Sequence, residues 1–266
     1  MEMHHHSHSE GHIGGKKNWK SYLWEFLMLF LAVFCGFLAE YQLEHMIEKD
    51  RANELAKSFY EELKNDSSNV LIKVENRIKQ ENALKYLMKY FRDSSVTNVS
   101  KTFVINFLYG ISFRSLSLFE PRTVVLDQLK NSGSLRYFKN EKLQKLIGDI
   151  SVAIHNVNDR QSIEWDLRRD YLNPLIINHY DFDFDAALTN DWKVNIFQAA
   201  AEYEKNNEFI PFQLKSIEKF DRQNMINILG FYCMNGMRST RLQHIQKYIE
   251  INTELLRVLR NEYHLE

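Results

Sequence analysis

YLWEFLMLFLAVFCGFLAEY, residues 22–41, holds an unbroken apolar run from Phe26 to Ala39. A helix rises about 1.5 Å per residue and the hydrocarbon slab is roughly 30 Å thick, so about twenty residues are needed to cross it. Tyr22, Leu23 and Trp24 before the run and Tyr41 after it complete that length. Trp19, Tyr22, Trp24 and Tyr41 stand where an aromatic belt belongs. Glu25 and Glu40 lie about four turns apart, which leaves each at headgroup depth. The run has no polar face, so a helix lying flat in the interface does not fit. The segment predicts one transmembrane helix contacting lipid through residues 22–41.

A cleaved signal peptide competes for the same residues. Cys35-Gly-Phe and Phe37-Leu-Ala fit the small-x-small cleavage rule poorly, because Phe37 stands where a small residue is required. A lipoprotein cleavage at Cys35 fails too, since the run stays apolar for three residues beyond Gly36. An uncleaved anchor is the expectation. Lys16, Lys17 and Lys20 crowd its N-terminal side; Lys49, Arg51 and Lys57 lie further from the other end. Basic residues near the membrane stay inside, so the bulk of the chain is expected to be extracytoplasmic.

The 9 glycines and 3 prolines among 266 residues starve hairpins of turns and suit long helices. The expected fold is all-α. A His-rich head at 1–18 precedes the transmembrane helix at 19–43, which continues into an amphipathic helix within a soluble helical bundle at 44–266. Leu55, Phe59, Leu63, Val70, Val74, Ile78, Leu84 and Met88 recur mostly at spacings of three, four or seven, the stripe of that amphipathic helix. Asn65-Asp-Ser-Ser-Asn69 predicts a bend or a polar turn in it, and Asp93–Ser100 a loop. Phe103–Leu116 is short, apolar and ambiguous. A helix should open at Glu120-Pro121 and stop at Asn131-Ser-Gly133. Another, capped by Asn140, should run to Pro174, and a last one from Asp221 to Tyr263. These two should pack together, burying Leu146, Ile150, Ile154 and Ile249. Cys233 is the one cysteine outside the anchor, so no disulfide framework exists there.

His4, His5, His6, His8 and His12 crowd the first dozen residues. Imidazole tracts capture Zn²⁺ or Ni²⁺ with little preformed geometry, and the surrounding Ser, Gly and Glu give no apolar support. The expectation is a disordered head with loose metal binding, and no resident cofactor. Asp181, Asp183 and Asp185 alternate with Tyr180, Phe182 and Phe184. If extended, that segment presents three carboxylates on one side, where a Ca²⁺-like cation would fit. An EF-hand register from Asp181 fails, with Ala186 and Trp192 at the positions needing Gly and Glu. The competing reading is an inter-helix loop with its aspartates in water. His155 with Asp159 and Asp166 with Asp170 share helix faces but read as solvated. No phosphate loop, dinucleotide fingerprint or nucleophile elbow is present. A formal net charge of −1, from 34 basic and 35 acidic residues, gives no footprint for nucleic acid.

MEMHHHSHSEGH followed by KKNWKSYLWEFLMLFLAVFCGFLAEYQLEH, together with VVLDQLKNSGSLRYFKNEKLQKLI at 124–147 and LLRVLRNEYHLE at 255–266, resembles a family of small single-anchor membrane proteins of unknown function common in Bacteroidetes-type bacteria. The resemblance covers most of the chain, is strongest through residue 64 and weakest over Asn173–Gln213. It implies the bacterial inner membrane and an all-helical soluble region, and carries no activity or ligand. The reading is a non-enzymatic, membrane-anchored interaction module that self-associates or pairs with another membrane protein. Ala32, Cys35, Gly36 and Ala39 are candidate small residues on that face. The rival is a sensor domain that holds a small ligand or divalent metal in a pocket lined by Trp165, Trp192 and the aspartates near Asp183.

Overall fold

Between Trp19 and Asp93 there is one glycine, Gly36, and no proline, so nothing interrupts the backbone hydrogen-bond ladder. The computed structural model, which describes residues 18–266, accordingly has a 75-residue helix α1 over Trp19–Asp93. The chain divides into two units, Met1–Ala52 and Asn53–Glu266. In the first unit, α1 carries the long apolar stretch. Its best 18-residue window has a mean hydropathy of 2.0 and none of it is buried, so this helix is long and apolar enough to cross a membrane. Phe26, Phe30 and Phe34 stack in a ladder at i, i+4 spacing along it.

The second unit is helical, with no strand among the described residues. After α1 come α2 (Lys101–Phe107), α3 (Val124–Asn131), α4 (Glu141–Leu167), α5 (Asn173–His179), α6 (Phe182–Leu188), α7 (Ile196–Lys205), α8 (Arg222–Phe231) and α9 (Gln246–Tyr263). Several ends are capped by side chains, that of α4 by Asn140 as the sequence predicts. Asn140 accepts from the Leu143 amide, Asp221 from Asn224, and Ser100 from Phe103. Gly133, at φ +69°, provides the left-handed turn that follows α3.

Wider π-type turns, with i to i+5 bonding, occupy Leu108–Ser112, Arg168–Leu172, Tyr232–Arg238 and Thr240–Ile245. The second lies just before Pro174, which has no N–H to give, and the chain passes through it into α5. The last two join α8 to α9, so Asp221–Tyr263 is helical except for this altered winding around Gly236.

Two apolar clusters form the core. In one, Ala56, Phe59, Leu63 and Val70 of α1 meet α3, α4 and α9 through Leu129, Ile150, Val157, Tyr248 and Leu255. Packing of α4 on α9 agrees with the sequence reading. Ile150 and Ile154 are buried, while Leu146 and Ile249 are partly covered. In the other, Leu84, Leu87 and Phe91 meet Phe103, Phe107, Tyr180, Phe184 and Phe212. The Phe107, Tyr180 and Phe212 rings lie 5.5–6.0 Å apart, the spacing of favourable aromatic pairs. Gly110 belongs here because a Cβ would come within 3.3 Å of the α1 backbone at Leu84.

Three expectations change. Asn65–Asn69 is continuous helix, not a turn. Asp66 accepts from the Arg122 amide and the Tyr248 hydroxyl, and Ser67 from Asn252, so its polarity serves tertiary contacts. The helix expected at Pro121 opens at Val124, where the Glu62 carboxylate of α1 accepts from the Val125 and Leu126 amides. A carboxylate at a helix N-terminus is favoured by charge as well as by hydrogen bonding. Finally, Ile78 is 41 % exposed and its neighbour Arg77 is buried in its place.

Candidate functional site

α1 leaves the first cluster at Val70 and enters the second at Leu84; α4 and its continuation do the same at Val157 and Leu172. The final helical run returns the other way, from Met237 to Ile245. At one level all three carry polar residues, Arg77, Gln80 and Glu81 on α1, Gln161, Glu164 and Arg168 on the α4 run, and Thr240 and Arg241 on the last. The spacings of three and four place the first two sets on one helix face each, pointed inward. Together they make a polar layer between the two apolar clusters.

Arg77 is its centre, with no exposed surface. Its fork meets the Glu164 carboxylate at 2.9 and 3.1 Å. Nε donates to the Ser117 carbonyl, Nη2 also to Gln161 Oε1, and Nη1 to the Met237 carbonyl. These contacts match the five N–H groups of a guanidinium, so the buried cation is saturated. Gln161 pairs through both ends of its amide with the Phe119 backbone, and Gln80 ties Gly110 to Ser117. At the edge, Arg241 forks onto Glu81 at 2.7 and 2.8 Å. Both carboxylates of the layer, Glu164 and Glu81, are thus engaged by arginines. The network's physical effect is to fix the axial register of three helices, because a slide of one turn breaks every bond at once.

Tyr232 is buried beside this layer, and burial with the nearby Glu164 charge pushes its hydroxyl up to about 12. Cys233 is fully buried and burial raises its thiol, the opposite of the thiolate character a nucleophile needs. Burial also raises the Asp66 carboxyl above its ordinary 3.8, against the pull of the Arg122 amide and the Tyr248 hydroxyl. An acid with a raised folded pKa stabilises the fold fully below its unfolded pKa, and that contribution is lost as pH rises through the folded value. Both hydrogen bonds fall on one Asp66 oxygen, so an amide carbonyl can keep them. Asp66→Asn should therefore gain stability relative to the parent as pH rises from about 4 to neutrality. Urea midpoints of both proteins across that range measure this, and a constant difference would refute it.

The sequence candidates are placed as follows. His4, His5, His6, His8 and His12 lie outside the described residues. Asp181, Asp183 and Asp185 span the turn into α6, so they are not an extended alternating strand. Asp181 accepts from the Gln213 amide and pairs with Lys215 at 2.9 Å. Asp185 takes the Tyr180 hydroxyl at 2.5 Å, and Asp183 stands in solvent, 3.8 Å from the Lys215 ammonium. Among the described residues no cluster of three His, Cys, Asp or Glu has the arrangement of a metal site. Asp166 and Asp170 both pair with Arg169, and Trp192 is exposed.

One concavity lies nearer the polar layer. Leu167, Tyr171, Asn227, Ile228, Phe231 and Tyr232 line an apolar groove of about 420 Å³ between the end of α4 and α8. Neither this groove nor the Arg77 layer was named from sequence. The signal available was a polar gap in three apolar stripes, at 77–81, 161–168 and 240–241. No family profile, curated protein or solved structure matches the chain.

Proposed function

We propose that this chain is a non-enzymatic, membrane-anchored module whose helical unit binds another protein or a second copy of itself. The observation that carries the reading is the apolar stretch of α1 in the first unit, exposed along its whole length. Leu29, Phe30 and Phe37 stand exposed among the described residues, and lipid or a partner helix supplies their cover. The bacterial inner membrane with an extracytoplasmic bulk rests on the family resemblance and on Lys16, Lys17 and Lys20 beside the anchor.

In the second unit, Tyr171 and Phe231 stand half-exposed at the groove beside Tyr232. Apolar concavities with aromatic walls suit an inserted side chain or a small apolar ligand. The groove therefore also supports a second reading, a ligand-sensing domain.

Alkaline carbonate extraction of native membranes tests the anchor; release of the protein into the wash would sink it. Labelling a cysteine placed near the C-terminus tests orientation, and reaction only after the cytosol is opened would reverse it. For the partner, a photo-crosslinker at Phe231 should give a discrete adduct in membranes, and reaction with water alone would remove the interaction reading.

A further inference from the structure

We propose that the groove between the end of α4 and α8 binds an amphipathic amine, an apolar body carrying an ammonium head. The proposal rests on the ligand-sensing reading and gives it a chemistry. Tyr171 and Ile228, which wall the apolar section of about 420 Å³, also wall a second concavity of about 250 Å³ between α5 and the start of α8. The two make one trough, of the few hundred Å³ that small-molecule sites have. Leu167 and Phe231 line its apolar part, and His179, Phe220 and Asp221 its polar part. Asp221 caps α8 and Phe231 ends it, roughly 15 Å apart by helical rise, so the trough suits an elongated ligand.

The polar end selects the charge. The Asp221 carboxylate accepts the Asn224 amide at 3.0 Å, which fixes it at the head of α8, and it meets no cation among the described residues. The other carboxylate there, Asp170, has both oxygens taken by the Arg169 fork at 2.8 and 3.3 Å. Arg222, next to Asp221, donates to the Ser94 carbonyl. The Lys215 carbonyl can only accept, so its 2.9 Å bond to His179 puts the hydrogen on Nδ1 and leaves Nε2 of the neutral ring an acceptor. The Phe220 ring stands at right angles to His179, 5.2 Å away, and adds an aromatic surface beside the carboxylate. A fixed carboxylate, an imidazole acceptor and an aromatic ring together recognise an ammonium group. Among the described residues lining this part, Lys219 is the one permanent cation. It is exposed on a flexible stem, and water screens its repulsion of a bound amine.

The test uses the full chain in detergent, titrated with phenylbutylamine and with its analogues phenylbutanol and phenylbutyrate at matched ionic strength. The amine should raise the melting temperature saturably and at lower concentration than the alcohol, with the acid weakest. Asp221→Asn keeps the helix cap, because asparagine caps as well as aspartate. It should weaken the amine by about fivefold and leave the alcohol unchanged. Lys219→Met should strengthen the amine by about twofold. Variants compared at one detergent concentration share the same loss of ligand to micelles. Asn227→Trp, at an exposed position on the groove wall, should fill the apolar section and weaken all three ligands. Equal binding of the three, or an amine response unchanged in Asp221→Asn, overturns the ammonium head and leaves a groove for apolar ligands. No saturable response to any of them, or responses unchanged in Asn227→Trp, overturns the proposal together with the ligand-sensing reading.

Discussion

Arg77→Met is expected to lower the unfolding free energy by about 3–5 kcal/mol, measured by urea titration of the full chain in detergent. Methionine fills much of the space but donates nothing. The Glu164 carboxylate, the Gln161 oxygen and the Ser117 and Met237 carbonyls then lose their shared donor inside the protein. The carboxylate dominates the loss, because it has 6 % side-chain exposure and cannot recover water without opening the helices. Converting Glu164 to methionine as well should restore part of the stability, since the orphaned charge is then gone. A single variant within about 0.5 kcal/mol of the parent would mean that the layer is hydrated and not a sealed network.

Leu29→Arg should abolish stable membrane association while leaving the second unit's thermal unfolding unchanged. A charge at mid-span costs at least ~2.5 kcal/mol on insertion scales. Leu29 is 68 % exposed on α1, so the substitution removes little packing within the chain itself. That contrast makes the experiment decisive: the effect has to come from the surroundings of the helix. Carbonate-resistant protein would be counted beside the melting temperature of the solubilised chain. Equal retention of parent and variant in the membrane pellet would defeat the spanning assignment.

Periodicity was a good guide wherever burial is apolar. The α4–α9 pair, the Asn140 cap, the stop at Gly133 and the long first helix were all legible, because each depends on neighbours close in sequence or on a plain apolar stripe. The misreadings share one cause. Asn65–Asn69 looked like a turn because Asp66 and Ser67 have their partners, Arg122, Tyr248 and Asn252, far along the chain. Pro121 looked like a helix start because the group that caps α3 is Glu62, contributed by another helix. Ile78 looked buried because an apolar side chain at helical spacing is the usual inward residue, and here Arg77 takes the inward position with its charge neutralised by Glu164. The aspartates at 181–185 lie at and within the start of α6, where Asp181 meets Lys215 and Asp185 takes the Tyr180 hydroxyl. A buried charge is visible in sequence only when its partner is known, and partners separated by 87 residues are not.

The altered winding through Tyr232–Ile245 also sets how this gene segment tolerates changes in length. A π-turn holds one more residue per hydrogen-bonded loop than an α-turn, so it absorbs what an α-helix would count as an insertion. Removing one residue there lets the ladder close as regular α-helix with the downstream face kept, whereas removing one from the start of α9 turns everything after it by about 100° about the axis. Tyr248, Ile251, Leu255 and Leu259 would swing off the α4 surface, although each keeps its identity and its spacing to the others. Length variation among natural relatives should therefore avoid α9 and collect within residues 232–245 and in the loops around Ser94–Ser100 and Asn206–Ser216.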